Sequence, residues 1–126
     1  MQHIQGEERN QLQIFCLEQV IEADSFVRVI DFFVDSIDLA SFGFKHVTFK
    51  EEGRPPYHPA VLLKLYFYGY RYGIRSSRKL EREAKLNLEV RWLLCEQTPS
   101  ASTICMFRKE YADAVRNVFR KFGSLP

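Results

Sequence analysis

Long apolar runs, paired cysteines, a one-sided charge balance and any nucleotide or nucleophile fingerprint are all missing from this 126-residue chain. Its most apolar run, Val61–Tyr70, is interrupted by Lys64 and falls short of the roughly 20 residues a membrane span needs. Met1–Asn10 carries His3, Glu7, Glu8 and Arg9 with no apolar segment after them, which is not the pattern of a secretory signal. The three cysteines, Cys16, Cys95 and Cys105, are odd in number and show no C-x-x-C spacing. They are expected to be reduced, half-buried thiols of a cytosolic protein, with no disulfide framework or zinc ribbon. His3, His46 and His58 are scattered, and none stands at ligand spacing from a Cys, a carboxylate or another His. No G-x-S-x-G, P-loop or dinucleotide fingerprint occurs, so no catalytic machinery, small-molecule substrate or cofactor is expected from the residues.

What is present is enough apolar material for one core: 46% of residues are hydrophobic and 14% aromatic. A disordered chain would show few aromatics and a large charge imbalance. The net charge of +2 is unevenly spread. Met1–Glu52 holds four basic and ten acidic residues, a net of −6; Gly53–Trp92 holds nine basic and three acidic, a net of +6; Leu93–Pro126 carries +2. Two readings of this asymmetry stand: the middle and end of the chain face a polyanion, or the acidic and basic parts pair with each other.

The periodicities predict an all-α single domain of about five helices. Residues 1–24 are expected to be a poorly ordered arm, and residues 25–126 the helical domain. Phe26, Ile30, Phe33 and Ile37 recur at helical spacing, with Asp24 or Ser25 as N-cap and Asp31, Asp35 and Asp38 on an outer, solvated face. Gly43 ends that part. Lys45–Pro56, with Gly53, Pro55 and Pro56, is a loop that could include a short strand at His46–Phe49. Pro59 suits the first position of the next helix, preceded by His58 as a loop or cap residue and closed by Gly73. The helix between is apolar nearly all round, so Tyr66, Phe67, Tyr68, Tyr70 and Tyr72 are expected in the core rather than in a base-stacking platform. Ser76 and Ser77 can cap a following helix with Leu80, Ala84 and Leu88 on one face. Trp92–Leu94 forms an apolar knot before Thr98–Pro99. A final helix, capped by Ser100 or Ser102, carries the stripe Ile104, Phe107, Tyr111, Val115, Val118 and Phe122.

The most informative constellation is a basic stripe. Arg75, Arg78, Arg82 and Lys85 lie opposite Leu80 and Ala84, where one helix face could neutralise several backbone phosphates at once. Ser76 and Ser77 stand at that helix's N-terminus, where backbone N–H groups favour a phosphate oxygen. The alternative is an ordinary solvated face with intrahelical pairs such as Arg78–Glu81. Thr98–Lys109 looks like a turn and a capped helix of helix-turn-helix type, whose Ser102, Thr103, Arg108 and Lys109 could meet base edges or phosphates. The alternative is that the serines and threonine are only caps.

Five segments then resemble a known family: F-V-R-V-I-D-F-F-V-D-S-I-D-L (Phe26–Leu39), G-R-P-P-Y-H-P-A-V-L-L-K-L-Y-F-Y-G-Y (Gly53–Tyr70), I-R-S-S-R-K-L-E-R-E (Ile74–Glu83), W-L-L (Trp92–Leu94) and S-T-I-C-M-F-R (Ser102–Arg108). From about Gln11 to Phe122 the chain is similar to the InsH-type N-terminal domain of bacterial insertion-sequence transposases of the DDE class. The resemblance implies a helical domain that binds double-stranded DNA at element ends, in the cytoplasm and on the nucleoid. It also implies a separate ribonuclease-H-like domain holding two Mg²⁺ ions for strand transfer, to which no residue here can be assigned. Ser100 stands where the family often has an aspartate. The tail Gly123–Pro126 breaks the amphipathic pattern as a frameshift or premature stop would. The expectation is therefore a DNA-binding, non-catalytic fragment. Two alternatives remain: a helical module that docks a second copy or full-length transposase through Phe26, Ile30, Phe33 and Ile37 as an inhibitor, or a decayed relic.

Overall fold

His58 and Pro59 open the longest helix of the computed structural model, which describes residues 2–44 and 57–123. The His58 Nδ1 accepts the Ala60 N–H at 3.1 Å, and Pro59 takes the first helical position, where no N–H is needed. Among the described residues every regular element is a helix, and there is no strand. The elements are α1 (Leu17–Val20), α2 (Phe26–Ser36), a 3₁₀ turn (Leu39–Phe42), α3 (Pro59–Tyr72), α4 (Ser77–Leu86), α5 (Leu88–Leu93), α6 (Ala101–Glu110) and α7 (Ala112–Gly123). Seven α-helices replace the five expected. Two of the extra elements arise where the chain turns without a strong breaker. Asn87 ends α4 and caps α5 by accepting the Glu89 N–H at 2.9 Å. Tyr111 (φ −115, ψ 29) interrupts the last amphipathic stripe between α6 and α7 without moving Ile104, Phe107, Tyr111 or Val118 out of the core. The possible strand at His46–Phe49 and the whole of the Lys45–Pro56 loop lie outside the described residues.

The apolar helix α3 is central, with every residue from Val61 to Gly69 buried. Phe67 meets Phe33 of α2 and both Phe119 and Phe122 of α7, at centroid distances of 5.6, 4.4 and 4.9 Å. On another side Tyr66 stacks on Phe107 of α6 at 5.8 Å, and Phe107 on Phe44 at 5.7 Å. Edge and stacked ring contacts of this kind add to the gain from burial itself. Tyr70 and Tyr72, expected inside, stand outside: Tyr70 is 75% exposed. The last turn of α3 runs past the helices that cover the rest, leaving Tyr72 tilted against Tyr68 and Tyr70 edge-on to Phe119.

The apolar face of α2 is also settled by packing. Of the face read as a possible dock for a second copy, Ile30 and Phe33 are buried beside Val27 and Val34, while Phe26 and Ile37 are half-buried against the same core. Ser25 holds the N-cap position of α2, yet its hydroxyl donates to Glu89 of α5 rather than closing the helix. Asp31 and Asp35 are not a purely solvated face, because they grip the buried Lys64 ammonium at 2.7 and 2.9 Å. Burial pulls the Lys64 pKa down, but those two carboxylate hydrogen bonds outweigh it and hold it above its ordinary value. That pairing explains why a lysine interrupts the most apolar run.

Residues 2–16 are exposed and carry no helix. The rest of the stretch read as an arm packs down: α1 lies on α5, and Ile21 is buried. The thiols are more exposed than expected. Cys16 and Cys95 are at the surface, and only Cys105 is half-buried.

Candidate nucleic-acid interface

The placement of the basic stripe starts inside α3. A Cβ on Gly69 would lie 2.6 Å from the Ile74 carbonyl oxygen and 3.0 Å from Leu80 Cδ2, so only a glycine lets the chain return this closely. Gly73 makes that return in the left-handed region (φ 73), and the Ile74 N–H donates to the Gly69 carbonyl at 2.8 Å. Arg75, Ser76 and Ser77 are thereby carried to the surface at the start of α4. The Ser76 hydroxyl accepts the Lys79 N–H at 3.3 Å and caps the helix, while Ser77 is its first residue.

Leu80 and Ala84, both fully buried, fix the rotation of α4. At about 100° per residue, Arg78, Arg82 and Lys85 fall on the opposite side, and all three are exposed. Lys79, which the basic stripe did not include, is exposed on the flank. Lys85 lies 3.7 Å from Glu81 one turn back. The expected alternative pair Arg78–Glu81 is absent, and among the described residues neither Arg78 nor Arg82 has an ion-pair partner. Three carboxylates of the acidic N-terminal half are engaged elsewhere: Glu18 with Arg28, Asp31 and Asp35 with Lys64. Among the described residues, pairing within the chain therefore reaches Lys85 of the stripe but not Arg78 or Arg82. An exposed guanidinium outside any ion pair stays available to an external anion.

The second candidate group sits on α6, which packs against α4. The Ser100 hydroxyl caps α6 by accepting the Thr103 N–H at 3.2 Å. It also lies 3.0 Å from the Thr103 hydroxyl and 3.2 Å from the Ser102 hydroxyl, so these side chains share one capping network. Arg108 does not point freely outward. Its guanidinium lies 4.9 Å from the Tyr66 ring centroid, and Nη1 donates to the Arg75 carbonyl at 3.4 Å. Burial pushes the Tyr66 phenol up to about 12 against the opposing pull of Arg108, so the ring under that guanidinium is neutral at ordinary pH. Arg108 thus ties the end of α6 to the start of α4 and brings together two residues distant in sequence.

Buried Ile104 and Phe107 set the rotation of α6. The face opposite them holds Ser102, Cys105, Met106 and Lys109, with Thr103 and Arg108 to either side. Met106 stands on this face too, although a pattern of polar residues does not mark it. The signal was nonetheless in the sequence, since it stands four after Ser102 and three before Lys109. The connection from Leu94 to Ser100 is longer than the three or four residues of a helix-turn-helix turn. Within it Cys95 (φ 51) and Glu96 (φ 66) both adopt left-handed backbone, held by a two-pronged Arg91–Glu96 pair at 2.7 and 2.9 Å.

Among the described residues, no three His, Cys, Asp or Glu side chains converge as a metal site requires. Among the same residues no helix is long and apolar enough to cross a membrane. A family model described as a transposase domain (DUF772) matches residues 15–110. The chain matches no curated protein and no solved structure.

Proposed function

The chain belongs to the transposase-domain family DUF772, and we propose that it binds duplex DNA at transposon ends as the non-catalytic, DNA-binding part of an insertion-sequence transposase. The observation that carries this reading is the outer face of α4, where Arg78 and Arg82 stand exposed, side by side and without carboxylate partners. Arg75, Arg78, Arg82 and Lys85 contact phosphates, and the first turn at Ser76 and Ser77 offers backbone N–H groups to a phosphate oxygen. From α6, Ser102 and Lys109 reach the DNA directly. Thr103 and Arg108 act at its margin, one within the cap and the other bracing Arg75. The strand-transfer chemistry and its Mg²⁺ ions belong to a catalytic domain distinct from these residues.

The test is fluorescence anisotropy with a labelled duplex from the DNA flanking the gene and a scrambled duplex, each at two salt concentrations. Salt-sensitive binding that favours the flanking duplex is the expected result. Equal binding to both duplexes would reduce the domain to a nonspecific basic surface, and no binding at low salt would overturn the proposal.

A further inference from the structure

We infer that Met106 reads the C5-methyl group of thymine in the major groove, at the centre of an α6 face flanked by Ser102 and Lys109. This rests on the DNA-binding reading above and adds a base preference to it. Met106 is 47% exposed on the side of α6 turned away from buried Ile104 and Phe107. Its neighbours on that face are a hydroxyl one turn before it and an ammonium one turn after it, both exposed. Lys109 has no ion-pair partner among the described residues, so the face carries uncompensated positive charge as well as an apolar centre. Duplex DNA matches that combination, with phosphates for the ammonium and base edges for the hydroxyl. The one apolar group on a major-groove base edge is the thymine methyl. A methionine side chain, unbranched and polarizable, adapts to such a methyl at low steric cost. At 1.5 Å per residue, α6 spans roughly 15 Å and has the dimensions of an element that enters the groove. The packing of α6 on α4 keeps this face on the same rigid unit as the Arg78 and Arg82 guanidiniums.

The experiment uses the full chain and a duplex that it selects from a randomised library. Each thymine of that duplex is then replaced singly by deoxyuridine, which removes only the methyl group. At one or two positions the replacement should weaken binding by about fourfold, the value of one apolar carbon removed from water. Met106→Ala should bind thymine and deoxyuridine duplexes equally, whereas Met106→Leu should keep the preference. Met106 packs no core, so circular dichroism of both variants should match the parent. Indifference to every deoxyuridine replacement would overturn the inference, as would a full thymine preference in Met106→Ala or a library that yields no preferred sequence. In the first two cases the proposed function stands without this base contact; a library with no preferred sequence leaves only a nonspecific basic surface. Loss of all salt-sensitive binding would remove both.

Discussion

The Glu18 carboxylate accepts one hydrogen bond from Arg28 at 2.5 Å and another from the Trp92 indole at 2.6 Å, while the Arg28 guanidinium lies 4.9 Å over the same indole. These contacts latch α1 onto α5. The Arg28 hydrogen bond, then that of Trp92, holds the Glu18 pKa below its ordinary 4.5. A carboxylate whose folded pKa is depressed contributes stability above its unfolded pKa and loses it as pH falls through the folded value. Trp92 is the sole tryptophan, so its emission should show a transition below pH 4.5, and Glu18→Gln should abolish it. An unchanged transition in that variant would assign it to another group. At the neighbouring turn, Cys95 sits at φ 51, where an L-residue pays roughly 1–2 kcal/mol. Glycine avoids that strain at an entropic cost of about 0.5–1 kcal/mol. Cys95→Gly should therefore be more stable by about 0.5–1 kcal/mol in chemical denaturation, and a β-branched Cys95→Val less stable.

At the scale of helices, the features visible in the sequence are those fixed by a few adjacent residues. Pro59 starts α3, Gly73 ends it, Ser76 caps α4 and Ser100 caps α6, each through chemistry contained within four or five positions. The outward position of Arg78, Arg82 and Lys85 was legible for the same reason, since Leu80 and Ala84 set the phase of their own helix. Features that depend on what packs against an element were hidden. Nothing near Leu17 announces α1, because Trp92 and Arg28 hold it. Nothing near Arg108 announces that Tyr66 and the Arg75 carbonyl engage it. The exposure of Tyr70 follows from where other helices stop. Gly69 belongs to both groups: a glycine in an apolar helix is visible, but its use as the seat of Ile74 and Leu80 is not. Gly69→Ala should cost about 1–3 kcal/mol, because its Cβ meets backbone rather than a flexible side chain. It should also weaken DNA binding by displacing the start of α4. A wild-type unfolding midpoint would show that the α3–α4 return is not so tightly seated.

Across the whole molecule, charge is sorted rather than balanced. Glu18, Asp31 and Asp35 of the N-terminal half serve internal latches, on Arg28 and on Lys64 between α2 and α3, while Arg78 and Arg82 of α4 have no ion-pair partner among the described residues. The most direct measurement is the slope of log binding constant against log salt concentration for the parent and for Arg78→Ala/Arg82→Ala. Each phosphate contact contributes about 0.9 to that slope on duplex DNA, so the double variant should lose roughly two units, for every duplex sequence alike. A double variant that binds with the parent's slope would mean that the α4 face does not meet the phosphates.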